Sequence, residues 1–350
     1  MAASWLRRPL VVLAALAVVI LTSVALVGLE DDTGAGIGRA ALSLAAKATP
    51  ARTVEPYDGL GTWVDVYDFA PTYTNGPPAL TPAAVDDMAA AGVRTLFIQA
   101  ARNDERAPDG VVDPAVLAQF LLRAHRHDMR VVGWYLPKFA DVDLDLRRLE
   151  AIADFEVLGH RFDGVAVDIE FTGDVPDHAA RNQSLIDLSQ RLHDRVGDDA
   201  LGAIVLPAVQ LEVVNDRLWP GFPYRELSEL YDVWLPMSYW TFRRHDSGYH
   251  DGYHYNHESV VRLRTNLGDD DALVHPVGGI GDLATTEELA GFLRSLADTG
   301  ALGGSIYDWR TLGTDARRLL DDGFSVGPAA ELAPPLTPRE ESGLGSWASR

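Results

Sequence analysis

The dominant feature of this sequence is a regular alternation between short apolar runs and longer stretches whose apolar residues have helical spacing. The apolar runs recur at intervals of roughly 30 to 40 residues, as successive strands of a parallel sheet do when a helix joins each pair. The eight predicted strands are Thr62–Phe69, Arg94–Ala100, Arg130–Leu136, Gly164–Phe171, Gly202–Ala208, Val233–Tyr239, Leu273–Gly279 and Gly303–Trp309.

Helices are predicted in the intervals between these strands. Thr81 before Pro82 and Asp113 before Pro114 place a capping side chain ahead of a proline in the first turn. The predicted helices are Pro82–Ala91, Pro114–His127, Leu144–Leu158, Ala179–Val196, Tyr224–Leu230, Glu258–Asn266, Thr286–Ala297 and Asp315–Asp321. Eight strand–helix units, with no Gly-x-Gly-x-x-Gly after the first strand, favour a closed (β/α)8 TIM barrel of the α/β class over an open doubly wound sheet.

The two ends of the chain lack this alternation. Arg7 and Arg8 precede a charge-free, mostly apolar run from Leu10 to Leu29, and acidic residues follow. About 20 apolar residues suffice to cross a bilayer, and the arginines would stay on the cytoplasmic side. We therefore expect residues 1–30 to be a signal anchor or a signal peptide, and the rest of the chain to be extracytoplasmic, membrane-anchored or secreted if the segment is cleaved.

The predicted domain organisation follows from these patterns. Residues 31–55 are expected to be a linker, residues 56–326 the barrel, and residues 327–350 a disordered tail rich in Pro, Gly and Ser. The formal charge of −21 makes nucleic acid an unexpected partner, because it would repel phosphate backbones. The absence of cysteine excludes thiol nucleophiles and thiolate metal sites, and no cofactor or metal is expected.

In a barrel of this kind, the active site forms where the strands reach their carboxyl ends. The predicted strand ends carry carboxylates together with aromatic rings, a combination that suits a polyhydroxylated ligand such as a sugar. The polar and aromatic candidates at these ends are Asp65, Tyr67, Asp68, Gln99, Arg102, Asn103, Trp134, Tyr135, Asp168, Glu170, Tyr239, Trp240, Asp308 and Trp309.

The fourth predicted strand carries the densest signal, in the segment from Asp163 to Glu170. Side chains alternate along a strand, so Ala166, Asp168 and Glu170 share one face, which we expect to be the barrel lumen. Two carboxylates at this spacing lie about 7 Å apart, close enough for one charge to raise the pKa of the other. Glu170 could then act as a general acid, with Asp168 ionised one layer deeper. Alternatively, the two acids only bind solvent or a loop N–H group.

This segment resembles the fourth-strand signature of the family 18 glycoside hydrolases, the chitinase-like barrels, which reads Asp-Gly-x-Asp-x-Asp-x-Glu. Asp163, Gly164, Asp168 and Glu170 match it, and Ala166 replaces the middle aspartate. Two further segments are similar to this family. The sixth strand keeps Met237 and Tyr239 of a Met-x-Tyr-Asp motif but has Trp240 in place of the aspartate, and the eighth is a Gly-rich strand that closes on Trp309.

The resemblance implies a role for each matching residue. Glu170 would be the proton donor, Asp168 would orient the acyl group of the substrate, and Tyr239 would stabilise the intermediate. The expected function is therefore an extracytoplasmic glycosidase acting on a polysaccharide. Because the two missing aspartates separate this chain from chitinases, another bacterial polysaccharide is at least as good a substrate as chitin. The expected substrate-binding residues are Trp309, Asp65, Tyr67, Gln99, Trp134, Met237 and Trp240.

Two alternatives remain open at the level of sequence. The substitutions at Ala166 and Trp240 favour a barrel that binds carbohydrate without cleaving it, as a lectin or scaffold. The loop from His245 to His257 holds four histidines and two aspartates, and a metal-dependent deacetylase would have to use it. This loop has no recognisable metal-ligand spacing, so a polar lid over the cleft is the simpler interpretation.

Overall fold

A computed structural model of the protein describes residues 50–108 and 110–325. These residues form a nine-stranded parallel sheet with the strand order β10-β11-β1-β2-β3-β6-β7-β8-β9, and a separate two-stranded hairpin, β4-β5. The strands are β1 (Gly59–Val64), β2 (Thr95–Gln99), β3 (Arg130–Tyr135), β4 (Glu156–Val157), β5 (His160–Arg161), β6 (Gly164–Ile169), β7 (Leu201–Val205), β8 (Val233–Pro236), β9 (Leu273–Val274), β10 (Val277–Ile280) and β11 (Gly303–Tyr307).

The sheet curls until its two ends meet. β9 pairs with β8 and β10 pairs with β11, and only His275 and Pro276 separate β9 from β10 in the chain. A further parallel bridge joins Met237, just after β8, to Val277. β9 and β10 are therefore two parts of one strand of the barrel. The strand is interrupted at Pro276, which has no N–H group to donate to a neighbouring strand. This parallel, curled sheet is consistent with the predicted TIM-type barrel.

The helices cover the outside of the sheet and mostly match the predicted intervals. They are α1 (Val66–Phe69), α2 (Ala84–Ala90), α3 (Pro114–Arg126), α4 (Val142–Ala153), α5 (His178–Val196), α6 (Tyr224–Leu227), α7 (Gly252–Leu267), α8 (Thr286–Thr299) and α9 (Thr314–Ser325). The carboxylates of Asp141, Asp177 and Asp251 cap α4, α5 and α7 by accepting backbone N–H groups, which explains where these helices begin.

Three element boundaries differ from the prediction by five residues or more. The first strand ends at Val64, because Asp65 accepts the N–H of Tyr67 and starts the short helix α1. Helix α4 ends at Ala153, and the hairpin β4-β5 follows it. Helix α7 begins at Gly252, six residues earlier than predicted, because Asp251 caps it, so half of the predicted polar lid is helical.

Apolar side chains form two layers, one on each face of the barrel wall. The outer layer lies between the strands and the helices, and Val64, Leu96 and Val165 contribute to it. The inner layer fills the lumen with the residues that alternate with these along each strand, and Trp63, Phe97 and Ala166 belong to it. This period-two alternation along every strand decides which side chains can reach a ligand in the lumen.

The amino end of the barrel is closed by residues just before β1. Tyr57 is fully buried in the lumen, and its hydroxyl donates a hydrogen bond of 2.9 Å to the carbonyl of Val165. Gly164 and Gly202 leave room for this ring, since a Cβ atom at either position would lie within 3.0 Å of it. Arg52 is also buried and donates to the carbonyls of Phe162 and Ala153. The barrel thus begins at about residue 52, within the segment 31–55 that was predicted to be a linker.

The predicted N-terminal anchor or signal segment and the predicted C-terminal tail lie outside the described residues. Within residues 50–108 and 110–325, no helix is both long enough and apolar enough to span a membrane.

Candidate active site

Two carboxyl groups without hydrogen-bond partners lie at the carboxyl end of β6. Asp168, the fifth residue of β6, is 5% exposed, and its Oδ1 atom is buried without a partner. Glu170 follows the strand on the same face and is partly buried. No described residue donates a hydrogen bond to either carboxyl group, and buried acids are rarely left in this state. The pair therefore has free capacity to bind a ligand or a proton.

Burial makes both acids hold their protons more tightly than free side chains do. The pKa of Asp168 is raised well above its usual value, first by desolvation and then by the negative charge of Glu170. Desolvation also raises the pKa of Glu170. A pair of this kind retains a shared proton to higher pH, because two adjacent buried carboxylates repel each other when both are ionised.

Tyr239 supplies a hydroxyl group beside this pair. It lies three residues after β8 on the lumen face, where burial and the charges of Glu170 and Asp168 raise its pKa well above the usual value. The hydroxyl group therefore stays protonated and can donate a hydrogen bond to a ligand oxygen. The structure thus brings together the three predicted catalytic residues, Asp168, Glu170 and Tyr239.

Tyr307, at the end of β11, is a lumen residue that the sequence analysis missed. Its ring lies 5.9 Å from the ring of Tyr239 and 6.4 Å from that of Trp63, and its hydroxyl donates a 2.9 Å hydrogen bond to Asp65 Oδ2. The strand alternation could have found it, because Gly303, Ser305 and Tyr307 share one face. Tyr307 is therefore the aromatic residue that β11 contributes to the lumen.

Aromatic rings form the floor of the site. Trp63 stacks on Phe97 at 4.5 Å and meets the edge of Trp134 at 6.0 Å. The indole N–H of Trp63 donates to Ser305, so its ring has a fixed orientation. The indole nitrogen of Trp134 is buried and has no partner among the described residues, which gives the floor a free donor. These rings are almost fully buried, so they close the lumen below the acids.

Three carboxylates, those of Asp65, Asp68 and Asp308, meet beside the lumen, with oxygen atoms within 4.8 Å of one another. Burial raises the pKa of Asp68 to about 6, although Arg310 donates to it at 2.8 Å. Asp65 accepts from Tyr67 and Tyr307, and Asp308 accepts from Thr311. Oxygen atoms in this arrangement could hold a divalent cation, but their present donors already fix the loops after β1 and β11.

The remaining predicted binding residues lie in the lumen, on the rim or in the outer layer of the barrel. Gln99 and Met237 are buried in or beside the lumen, and Gln99 accepts the N–H of Val66. Tyr67 lies on the rim and is 49% exposed. Trp240 and Trp309 belong to the outer layer instead, where Trp240 packs on Phe292 and Trp309 on the guanidinium of Arg317.

The placement of these two tryptophans differs from the predicted placement in the sugar pocket. Trp240 starts a short 3-10 helix directly after the lumen residue Tyr239, which turns its ring away from the site. Trp309 lies two residues beyond the end of β11, and the alternation of the strand no longer applies there. Neither ring faces Asp168 or Glu170.

The histidines of the loop after β8 have structural partners. His250 lies 3.3 Å from Glu288, and His254 lies 3.1 Å from Glu258 one turn further along α7. Among the described residues, the group that could hold a metal is the Asp65, Asp68 and Asp308 cluster and includes no histidine. The described residues thus offer no support for the alternative of a metal-dependent deacetylase that uses the histidines of this loop.

Comparisons with known proteins identify the fold. No protein-family model matches the sequence, and no curated protein matches it significantly. Among solved structures, a class V chitinase from Pseudomonas fluorescens Pf-5 superposes with a TM-score of 0.54 at 9% identity, covering 76% of this chain and 99% of that one. The spore cortex-lytic enzyme SleL from Bacillus megaterium QM B1551 gives 0.52 at 9% identity, covering 76% and 74%.

A further match has a different printed activity. The beta-galactosidase from the psychrophilic Marinomonas ef1 gives a TM-score of 0.53 at 10% identity, covering 76% of this chain and 59% of that one. At such low identities the likeness concerns the fold alone. The described part of the chain has the fold of chitinase-like and related glycoside hydrolase barrels.

Proposed function

We propose that this protein is a glycoside hydrolase that acts on a polysaccharide, with Glu170 as its general acid and base. The observation that carries this proposal is the pair of carboxyl groups at the mouth of the barrel, buried Asp168 and partly buried Glu170, neither of which has a hydrogen-bond partner among the described residues. Leaving two acids unpaired destabilises a fold, so such a pair is typical of a site that works on a bound ligand. The neighbouring aromatic floor suits a sugar substrate.

The proposed reaction uses the two acids and Tyr239. Protonated Glu170 donates its proton to the glycosidic oxygen as the bond to the anomeric carbon breaks. Positive charge then develops at the sugar ring, where the carboxylate of Asp168 and the hydroxyl of Tyr239 stabilise it or orient an acyl group of the substrate that attacks the anomeric carbon. Ionised Glu170 finally takes a proton from the water molecule that completes hydrolysis.

The proposal includes an extracytoplasmic location, with a membrane anchor or a cleaved signal at the N-terminus. The apolar run from Leu10 to Leu29, preceded by two arginines, supports it. A polysaccharide substrate fits this location, because structural polysaccharides lie outside the cytoplasmic membrane.

The proposed activity is tested with the purified full chain and a panel of bacterial and fungal polysaccharides. New reducing ends and retained binding are measured side by side on each polymer. We expect at least one polymer to yield reducing ends in proportion to time and to enzyme concentration. Binding without cleavage of any polymer would contradict the proposal and favour the lectin alternative.

The pH dependence should reveal the coupling between the two acids. Because Glu170 must be protonated to act as an acid, we expect kcat/KM to fall as pH rises through its raised pKa. In Asp168→Asn the two acids can no longer share a proton, so the last proton leaves Glu170 with no charged partner beside it, and this basic limb moves to lower pH. We also expect kcat to fall on the order of 100-fold, because stabilisation of the developing charge is lost.

The control for this pH shift is Asp174→Asn. Asp174 follows the same strand, but its side chain is 46% exposed and pairs loosely with Lys138 at 3.9 Å. Its profile should match that of the parent. A basic limb that does not move in Asp168→Asn would show that the two acids are not coupled in the free enzyme.

A further inference from the structure

Arg102 lies on the rim of the barrel, three residues after the end of β2. Its guanidinium carbon lies 4.8 Å from the ring centroid of Tyr67 and 5.4 Å from that of Tyr73. The two rings themselves meet edge to face at 6.1 Å. The planes of these rings are nearly perpendicular, at 82°, and the guanidinium of Arg106 also lies over Tyr73, at 4.3 Å. Cation–π contact with the rings holds the Arg102 side chain in place and leaves its N–H groups able to donate.

The nearby carboxylate is already used by another residue. Asp104 accepts hydrogen bonds from the backbone N–H, Nε and Nη2 of Arg106 at 2.9, 3.0 and 2.7 Å. These bonds hold the pKa of Asp104 well below its usual range, so it stays ionised and bound to Arg106. Arg102 approaches the same carboxylate only to 3.9 Å, and Glu105, the next residue of the loop, is exposed and pairs with neither arginine among the described residues.

Arg102 consequently makes no hydrogen bond to any described residue, and its Nε atom is buried without a partner. Its side chain is 27% exposed. Two other rim arginines differ in this respect, because Arg244 donates to Asp246 and Arg310 donates to Asp68. A half-buried guanidinium held beside two rings, which only approaches a carboxylate that another arginine already binds, is suited to bind an anion.

A short chain of contacts connects this arginine with the candidate active site. Tyr67, below Arg102, donates its backbone N–H to Asp65 Oδ1 at 2.7 Å. Asp65 Oδ2 accepts from the hydroxyl of Tyr307, and the ring of Tyr307 contacts that of Tyr239. Arg102 and Tyr67 thus lie at the same end of the barrel as Glu170, just after the carboxyl ends of β2 and β1.

We propose that Arg102, Tyr67 and Tyr73 form a subsite for a negatively charged sugar residue, so that the substrate is a carboxylate-bearing polysaccharide that this local cation binds against the overall negative charge of the protein. This inference rests on the proposed glycosidase function and deepens it by naming the substrate class. The planar guanidinium matches the two oxygens of a carboxylate, and the exposed ring of Tyr67 offers its face to the same sugar unit.

The experiment separates this subsite from the catalytic step. Binding is measured by calorimetry with the full chain carrying Glu170→Gln, so that the probes stay intact. The probes are matched oligomer pairs that differ only at the sugar carboxylate: β-1,4-linked hexaglucuronate with cellohexaose, and α-1,4-linked hexagalacturonate with its carboxyl-reduced form. Cleavage of the same probes by the parent protein is assayed separately.

We expect the acidic member of at least one pair to bind about tenfold or more tightly than its neutral partner. Adding Arg102→Gln should remove this preference and change the affinity for the neutral member less than about threefold, whereas Arg102→Lys should restore part of it. Adding Arg318→Gln, which removes a charge from an exposed position on α9, should leave the preference unchanged. Raising the salt concentration should weaken the binding of the acidic probe and leave the binding of the neutral probe unchanged.

Each contrary outcome has a defined meaning. Equal or tighter binding of the neutral member in every pair, or an acidic preference that survives Arg102→Gln, would overturn the subsite. Failure of every acidic probe to bind would overturn it as well. An Arg102-dependent acidic preference in a parent protein that cleaves no polysaccharide would support the subsite and contradict the proposed hydrolase function instead.

Discussion

Glu170→Gln should lower the rate of polysaccharide cleavage by roughly 100- to 10,000-fold, because the amide cannot donate a proton to the leaving oxygen. Gln has almost the same shape, and the Glu170 carboxyl group has no hydrogen bond to a described residue that could be broken. Binding of the polymer should therefore persist. The measurement is kcat for release of reducing ends, with binding followed in parallel.

The leaving group provides a sharper form of this test. An aryl glycoside that releases 2,4-dinitrophenolate needs no proton on its leaving oxygen, so Glu170→Gln should retain much more of the parent's bond cleavage with it than with the polymer. An equal loss on both substrates would contradict the role of Glu170 as general acid. A variant with undiminished polymer cleavage would contradict any catalytic role for this residue.

Thermal stability is the control for folding in this variant. Burial raises the pKa of Glu170 in the folded protein above its unfolded value, so the protein loses stability as pH rises through the folded pKa. Gln carries no charge and escapes that loss. At pH 8 we therefore expect Glu170→Gln to unfold at a temperature no lower than the parent, which separates a catalytic defect from a folding defect.

Asp145→Ala is expected to reduce the free energy of unfolding by about 3–5 kcal/mol, because it leaves several buried donors without an acceptor. Asp145 lies on α4 and is fully buried. It accepts hydrogen bonds from the hydroxyl of Tyr135 at 2.5 Å and from the backbone N–H of Phe139 at 2.8 Å. Phe139 has a φ of 64°, which a side-chain-bearing residue rarely adopts, and Asp145 holds it there.

Urea denaturation of the purified protein measures this effect. Asp145→Asn keeps one acceptor oxygen and should lose less stability than Asp145→Ala. Asp143→Ala is the matched control on the same helix, because Asp143 is exposed and bonds only to Arg191 at the surface. Its unfolding midpoint should stay close to that of the parent. Equal midpoints for Asp143→Ala and Asp145→Ala would show that the Asp145 network contributes no stability.

The sequence predicted the barrel because its architecture is repeated along the chain. Every unit needs a short apolar strand and an amphipathic helix. The spacing of the apolar residues therefore indicates the same strand–helix unit eight times along the chain. The same alternation identified Asp168 and Glu170, because two polar residues on the inward face of an otherwise apolar strand stand out locally. Tyr239 was predicted from its place at a strand end and from the resemblance to the Met-x-Tyr-Asp motif, and in the structure it continues the inward face of β8.

The errors lie where strands end and the chain turns. The first strand was predicted to extend to Phe69, but Asp65 caps a helical turn there. It placed Trp240 and Trp309 in the sugar pocket because they follow lumen strands, but each ring turns outward past the strand end. The residue that reaches the lumen from the last strand is Tyr307, which strict alternation indicates.

Local pattern thus determined the fold class and the residues on the inward faces of the strands, since strand alternation depends only on neighbours in the chain. Only the tertiary structure decided which groups remain without partners. Arg102 and Asp104 are two residues apart, yet Arg106 takes the carboxylate and leaves Arg102 free on the rings of Tyr67 and Tyr73. Hydrogen bonds and ring contacts of this kind depend on the three-dimensional arrangement of loops from different units, which no periodicity in the sequence encodes.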